Sequence, residues 1–262
     1  MTAMERSAHL IHARSPLFQR RLEQADACVD EMLRTAQHPY VACSFGKDST
    51  ALLWVVAQHW PGARVQCLTG GESRLLHSEI DEHSAWWRRE FPLMHLAEVK
   101  VDHVFSDEWS EATFEEQYLS FHASQLGTTE WAAYLHSSAD WDGVFLGLRS
   151  DESFKRAVQN SARARGCVTP IRRYSEARTD AAAGMYVACP LALWTDADVA
   201  ALIVSRGLPL LSTYKRDGFS ARTKLRLGKT AMDLGQVEEL RRRDPAAYNR
   251  LLQRFPELGG NR

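Results

Sequence analysis

Within 39-PYVACSFGKDSTALLWVV-56, a lysine, an aspartate and three hydroxyls stand between two apolar runs. The first run reads as a buried strand and the second has helical spacing, so Ser44, Phe45, Gly46, Lys47, Asp48, Ser49 and Thr50 occupy a strand-to-helix turn. Backbone N–H groups in a first helical turn have no partner inside the helix, and the helix dipole adds partial positive charge there. Gly46 permits a tight turn and the close approach of an anion. Ser44, Ser49 and Thr50 offer hydroxyls, and Lys47 brings a full charge. Together these residues provide phosphate-binding chemistry. They do not form the Walker-type P-loop, which needs a glycine where Val41 stands and a Ser or Thr where Asp48 stands. A plainer reading of the same residues is a helix start capped by Ser44 or Asp48, with Lys47 exposed.

The turn can serve a ligand if the chain builds a parallel α/β sheet, because such sheets bind ligands beyond the carboxyl ends of their strands. Strand candidates are PYVACSF, ARVQCLTG, LMHLAEVKV and GVFLGLR. Helices are expected over 17–36, 49–60 and about 75–90, with two more between Ser106 and Ala139. Strands alternating with helices of this length indicate a mainly parallel α/β sheet. The first and last strands are apolar without alternation, as when both faces are covered by helices. After Arg149 the pattern weakens into a basic, helical segment (152–165) and a strand-like run, YVACPLALW. The segment 195-TDADVAALIVSRG-207 then reads as a helix with Thr195 as cap, Asp198 three residues on and Gly207 as stop. The tail from Thr230 to Leu258 is helical again, interrupted at Asp244-Pro245. The expected organisation is an α/β domain with an N-terminal helix over 1–190. A basic, mostly helical extension over 191–262 would pack on the same domain.

A formal net charge of −1 conceals strong segregation. Glu72 to Glu116 carries twelve acidic and four basic residues, whereas Arg149 to Arg178 carries eight basic and three acidic. Arg206 to Lys229 is more one-sided still, seven to one. Clustered Lys and Arg create a local potential that net charge hides, so the second half is a candidate anion-binding half. The five cysteines form no Cys-x-x-Cys pair, which argues against a structural zinc or iron–sulfur site and for reduced thiols in a cytoplasmic protein. No apolar run has the length of a membrane span, and the N-terminal stretch lacks the apolar core of a signal peptide.

The Ser-x-Gly-Lys-Asp-Ser turn after a strand resembles the pyrophosphate loop of the N-type ATP pyrophosphatases, which cleave ATP between the α- and β-phosphates. Two further stretches narrow the resemblance. In 147-GLRSDESFKRA-157, Gly147, Arg149, Glu152 and Arg156 form a Gly-x-Arg-x-x-Glu-x-x-x-Arg pattern. In 190-PLALWTDADVAALIVSRGLPLLSTYKRDGF-219, a Pro-Leu-x-x-Trp-Thr-x-x-Asp-Val helix precedes Leu-Pro and a Tyr-x-x-x-Gly-Phe. In this order the three stretches, covering about 39–226, resemble the phosphoadenosine phosphosulfate (PAPS) reductase family, which includes the small subunit of ATP-dependent sulfate adenylyltransferase. The resemblance implies a five-stranded, mainly parallel sheet of the adenine nucleotide α-hydrolase type with an adenosine nucleotide across the strand ends. Residues Ser44 to Thr50 would hold the phosphates, and Thr69 and Gly70 would face the nucleotide. Arg149, Glu152 and Arg156 would line the anionic substrate side. Catalysis would fall to Lys47, Asp48 and Arg149 with ATP and Mg2+, and Asp48 would orient the lysine or reach the metal.

Two departures shape the expected activity. The thiol-dependent reductases of the family carry a cysteine in a C-terminal Glu-Cys-Gly-Leu-His motif, whereas here no cysteine follows Cys189. Basic residues including Arg222 and Arg226 take that place, as anion contacts or as a solvated loop. Lys47 and Asp48 are retained, which favours ATP cleavage with AMP transfer to sulfate or a sulfur acceptor. Two alternatives stay open: a PAPS reductase or sulfotransferase, and a non-catalytic nucleotide- or nucleic-acid-binding subunit. A protein partner is open too, because the family's small adenylyltransferase subunit works with a GTPase.

Overall fold

The computed structural model describes residues 1–67, 78–98, 140–152, 168–170, 186–221 and 235–259. The chain divides into two compact units. The first comprises residues 1–67, 83–97 and 126–222, and the second 68–82, 98–125 and 223–262.

The first unit is built on a sheet whose strands are β1 (Pro39–Cys43), β2 (Arg64–Cys67), β3 (His95–Glu98), β4 (Gly143–Phe145), β5 (Val168–Pro170) and β6 (Tyr186–Ala188). Their spatial order is β3-β2-β1-β4-β6-β5. β1 runs parallel to β2 and to β4, and β4 parallel to β6, which gives the mainly parallel α/β sheet expected. The short edge strand β5 runs antiparallel to β6. From β1 the chain moves outward through β2 to β3, then returns to place β4 on the other side of β1. The order therefore reverses between β1 and β4, the switch point where α/β sheets open a crevice for ligands.

Local sequence explains the elements beside that crevice. Helix α1 (Ala3–His12) opens on Thr2, whose backbone N–H donates to Glu5 Oε2 at 2.6 Å while Glu5 N–H donates to Thr2 Oγ1 at 3.2 Å. Helix α2 (Pro16–Thr35) is capped by Ser15, has proline at its first position, and buries Phe18, Ala25, Cys28, Val29 and Met32 on one face. Helix α3 (Lys47–His59) buries Ala51, Leu52, Leu53, Val55, Val56 and Ala57, nearly its whole circumference, so it lies inside the unit and packs against α2 and β1. Helix α4 (Ile80–Glu90) follows β2 in sequence. Helix α5 (Asp196–Arg206) starts after Thr195 and stops at Gly207 in the left-handed conformation (φ 63°), as its sequence predicts. A short helix, α6 (Ser212–Asp217), comes next. The strand-like run YVACPLALW is strand only to Ala188: Pro190 cannot donate to a ladder, and the backbone turns there, with Ala192 N–H on Cys189 O at 3.0 Å.

In the second unit, α7 (Gln236–Arg243) and α8 (Pro245–Arg254) break at Asp244, whose side chain caps α8 through Ala247 N–H at 2.9 Å. Val237, Leu251, Phe255 and Leu258 form a small apolar core there. The expected helices between Ser106 and Ala139 and over 152–165 lie outside the described residues. Among the described residues no helix is long and apolar enough to cross a membrane.

The start of α5 is held by a buried charge. Asp198 has no exposed side-chain surface, yet it pairs with Arg21 of α2, and His12 of α1 sits 2.8 Å from Oδ1. It also accepts from the Thr195 backbone N–H and hydroxyl at 2.7 Å each. Burial raises its pKa, but the hydrogen bonds from Thr195 and His12, with Arg21 beside them, outweigh that and hold it below the ordinary 3.8. A carboxyl with a lowered folded pKa stabilises fully above the unfolded value and loses that contribution as pH falls through the folded one. Asp198→Asn is therefore expected to cost about 3 kcal/mol at pH 7, the low end for breaking a buried pair, because His12 and Arg21 keep some contact with water. Urea unfolding should show the gap from wild type narrowing below pH 3.8. A gap that stays constant with pH would place the loss in packing and not in charge.

Candidate active site at the switch point

Three loops leave the carboxyl ends of the adjacent strands β1, β4 and β6 and meet. Backbone hydrogen bonds join the second to the third: Leu146 N–H reaches Ala188 O and Ser150 N–H reaches Ala192 O, both at 2.9 Å. Between the first and second the approach is closer still. A Cβ on Gly147 would lie 3.1 Å from Asp48 O and 3.2 Å from its carbonyl carbon, so any larger residue would need the start of α3 to give by a few tenths of an ångström.

The first loop has a strained turn. Phe45 adopts a left-handed backbone (φ 55°), uncommon for a bulky residue, while its ring is buried and meets the His83 ring edge to face. Gly46 is the N-cap of α3 and supplies no capping side chain. The first helical bond runs from Thr50 N–H to Gly46 O at 2.9 Å, so the N–H groups of Lys47, Asp48 and Ser49 precede any intrahelical acceptor. The hydroxyls brace the loop. Ser49 Oγ donates to Gly46 O at 3.1 Å and accepts from Ser44 N–H at 3.3 Å, with Ser44 Oγ 3.4 Å away. Thr50 is fully buried, its hydroxyl aimed at Phe45 O. Behind the loop lies the Cys43 thiol, also buried. Burial raises its pKa, but hydrogen bonds with Cys67, the Phe45 backbone and Ser49 prevail and lower it.

The charges converge on Arg149, from the β4 loop, which is only 2% exposed. Its Nε lies 2.7 Å from Asp48 Oδ1, its Nη1 is 2.9 Å from the Asp151 carboxylate, and its Nη2 is 2.6 Å from Asp196 Oδ1. The contact to Asp48 is an ion pair without the alignment of a hydrogen bond. Nη1 also reaches Trp194 O at 3.4 Å, and Glu152 accepts from the Arg149 backbone N–H at 3.1 Å. Lys47 is 5% exposed, with Nζ 2.8 Å from Asp48 Oδ2 and 3.0 Å from Asp196 Oδ1. Burial works against the charge on both cations, but the carboxylates prevail: Asp48 first, then Asp196 for Lys47, and Asp48, Asp151 and Asp196 for Arg149. Both pKa values are raised and both groups stay charged. For Asp48, burial is the stronger influence and moves its pKa up despite Lys47 and Arg149.

The structure thus brings Ser44, Phe45, Gly46, Lys47, Asp48, Ser49, Thr50, Arg149 and Glu152 to one place. Thr69, Gly70, Arg156, Arg222 and Arg226 lie outside the described residues. Two site residues escape sequence reasoning, Asp151 and Asp196. Asp196 is adjacent to Thr195, which the capping pattern accounts for, and nothing in that pattern marks the intervening carboxylate. Among the described residues no group of three or more His, Cys, Asp or Glu side chains is placed to hold a metal ion.

Residues 38–260 match the family model "Phosphoadenosine phosphosulfate reductase domain". No curated protein sequence matches the chain. Among solved structures it is similar to the PAPS reductase of Candida auris in its phosphate complex, at 15% identity over 73% of this chain and 83% of that one, with a TM-score of 0.48. It is also similar to the U34-tRNA thiolase NcsA of Methanococcus maripaludis with its [4Fe-4S] cluster, at 11% identity over 93% of this chain and 82% of that one, with a TM-score of 0.49.

The close approach at Gly147 yields a direct test. The atoms that a new methyl would meet are backbone, not the end of a flexible side chain. Gly147→Ala should therefore force the two loops apart and lower the unfolding free energy by about 1–3 kcal/mol, the usual cost of overpacking. The check is the urea midpoint at unchanged far-UV circular dichroism. An unchanged midpoint would mean that the loops separate freely.

Proposed function

The chain belongs to the PAPS reductase family, and on that premise we propose that it is an ATP-cleaving, AMP-transferring member of this sulfur-related, nucleotide-binding family. It would bind ATP at Ser44 to Thr50 and cleave it between the α- and β-phosphates. AMP would pass to sulfate or another sulfur acceptor, with release of pyrophosphate. The observation that carries the reading is the buried Lys47 at the first position of α3, charged and held by Asp48 and Asp196, beside a helix start whose cap is a glycine. A full cation next to N–H groups that precede any intrahelical acceptor suits a leaving pyrophosphate, whose charge grows as the bond breaks.

In the reaction an acceptor oxygen or sulfur attacks the α-phosphorus and forms the new bond. The bond from that phosphorus to the bridging oxygen breaks, and its electron pair leaves with the pyrophosphate. The N–H groups of Lys47, Asp48 and Ser49 would receive phosphate oxygens, and the Lys47 ammonium would meet the charge that develops on the leaving group. Arg149 would hold the anionic acceptor through its planar fork. Asp48 orients both cations, one through each carboxylate oxygen. Mg2+ would arrive with the triphosphate, held chiefly by phosphate oxygens, and supply Lewis-acid charge neutralisation there; Asp48 would reach it only by giving up a contact with Lys47 or Arg149.

The charge balance supports this reading. Lys47 and Arg149 face Asp48, Asp151 and Asp196, so the cluster has no spare positive charge for a bare triphosphate. A nucleotide carrying a divalent cation fits such a cluster better than a free one. Among the described residues thiol-dependent reduction of a sulfonucleotide fits less well, since Cys28, Cys43, Cys67 and Cys189 are all buried there, and Cys167 lies outside the described residues. A cytoplasmic setting and a protein or nucleic-acid partner remain part of the proposal, argued from the reduced-thiol pattern and the charge segregation of the sequence.

Calorimetric titration of MgATP and of PAPS into wild type and Lys47→Ala tests the assignment. MgATP should bind more tightly than PAPS, and the variant should lose at least about tenfold in MgATP affinity. Pyrophosphate release should fall by about 100-fold, the loss seen when one charge-stabilising donor is removed. Tighter binding of PAPS, with Lys47→Ala without effect, would overturn ATP cleavage and leave Arg149 as the principal anion site.

A further inference from the structure

Lys47 and Arg149 share two carboxylates, and they share them differently. Asp48 is adjacent to Lys47 in sequence, is mostly buried, and gives each cation a separate oxygen, at 2.8 Å and 2.7 Å. Asp196 comes from a third loop and places a single oxygen, Oδ1, between the two cations, 3.0 Å from Lys47 Nζ and 2.6 Å from Arg149 Nη2. One oxygen bridging an ammonium and a guanidinium is the arrangement a phosphate or sulfate oxygen would adopt there. Asp196 is also the most solvent-facing member of the cluster: its side chain is 41% exposed, against 20% for Asp48 and 2% for Arg149.

The backbone that carries Asp196 is fixed on both sides, while its side chain is tied only through the two cations among the contacts described. On its N-terminal side, Thr195 is bonded to Asp198, which is anchored by His12 and Arg21. On its other side the residue begins α5. Departure of the carboxylate thus requires rotation of one short side chain into water and no unfolding of the helix start.

We propose that Asp196 is an internal competitor for the anion site, occupying the position of a substrate oxygen until a sufficiently charged ligand displaces it. This rests on the reading above that Lys47 and Arg149 receive the anion. The consequence is a threshold on affinity. Expelling a carboxylate from two cations costs the same whatever the ligand, so every anion bound there is weakened by the same factor. Asp196 therefore sets how tightly the site holds any anion and leaves the order of preference among anions to the rest of the site.

The test uses inorganic pyrophosphate and inorganic sulfate, each titrated without Mg2+ into wild type, Asp196→Asn, Asp196→Ala and Lys47→Ala. Both Asp196 variants should bind pyrophosphate about tenfold more tightly than wild type, equivalent to about 1.4 kcal/mol. Sulfate should gain by a similar factor, so that the preference for pyrophosphate stays as it is in wild type. Thermal unfolding of the two variants near the wild-type midpoint would show that the anchor at Asp198 is intact. Equal or weaker binding in both variants, or no anion binding by any protein, would overturn the proposal and make Asp196 a positioning residue for the cations. If Lys47→Ala weakens pyrophosphate binding but the Asp196 variants do not strengthen it, this inference alone fails. If Lys47→Ala leaves pyrophosphate binding untouched, the loop assignment fails and takes the inference with it.

Discussion

A guanidinium buried to 2% exposure is the constraint on which the site depends. Moving such an ion out of water costs several kcal/mol even after relaxation, and only close, well-placed counter-charges offset it. Arg149 has three, and no two come from the same strand end: Asp48 follows β1, Asp151 follows β4 and Asp196 follows β6. Those strands are neighbours, with β4 parallel to both of the others, so their carboxyl ends point the same way. Sheet order and charge burial are thus one requirement. A chain that placed β4 elsewhere would leave Arg149 without its partners, and a chain without Arg149 would leave three carboxylates crowded together.

The same junction explains where the backbone is strained. To bring Asp48 within 2.7 Å of Arg149, the loop after β1 must pass close against the loop after β4. Gly147 removes the obstructing methyl, and Phe45 takes a left-handed conformation that a bulky residue ordinarily avoids. Burial of the Phe45 ring opposes relaxation of that turn. Ser49 ties the turn together through Gly46 O and Ser44 N–H. Its hydroxyl is therefore part of the scaffold, whereas the backbone N–H groups ahead of Thr50 precede any intrahelical acceptor and are the donors a ligand could use.

The parts legible in the sequence were those with a local signature. Gly46, Lys47 and Asp48 announce a strand-to-helix turn because the hydrophobic period changes there, and Gly207 announces a helix stop because only glycine adopts that conformation freely. Arg149 was legible through its spacing from Gly147 and Glu152. Asp196 and Asp151 were not, because their partners lie far away in sequence and a carboxylate on a helix start has an ordinary explanation already. The end of β6 was misjudged for a related reason: hydrophobicity continues through Leu191 while Pro190 ends the hydrogen bonding. Helix α1 has a capping box in Thr2 and Glu5 but buries none of its residues, so no apolar face marks it in the sequence.

Charge arithmetic also bears on which chemistry the site suits. Thiol-based reduction needs an accessible, ionised sulfur, and lowered pKa alone does not provide access. Cys43 has the hydrogen bonds that favour a thiolate but no exposed surface, and it lies behind the loop, not in front of it. Transfer at phosphorus makes a different demand. Little covalent chemistry is required of the protein, and positioned charge supplies most of the effect. A buried lysine and arginine, each held by carboxylates from other loops, meet that demand because they are oriented before a ligand arrives. The carboxylates that orient them also oppose the binding of an anion. Under the proposed reading the ligand would therefore bring its own cation along with its negative charge, as an ATP–metal complex does.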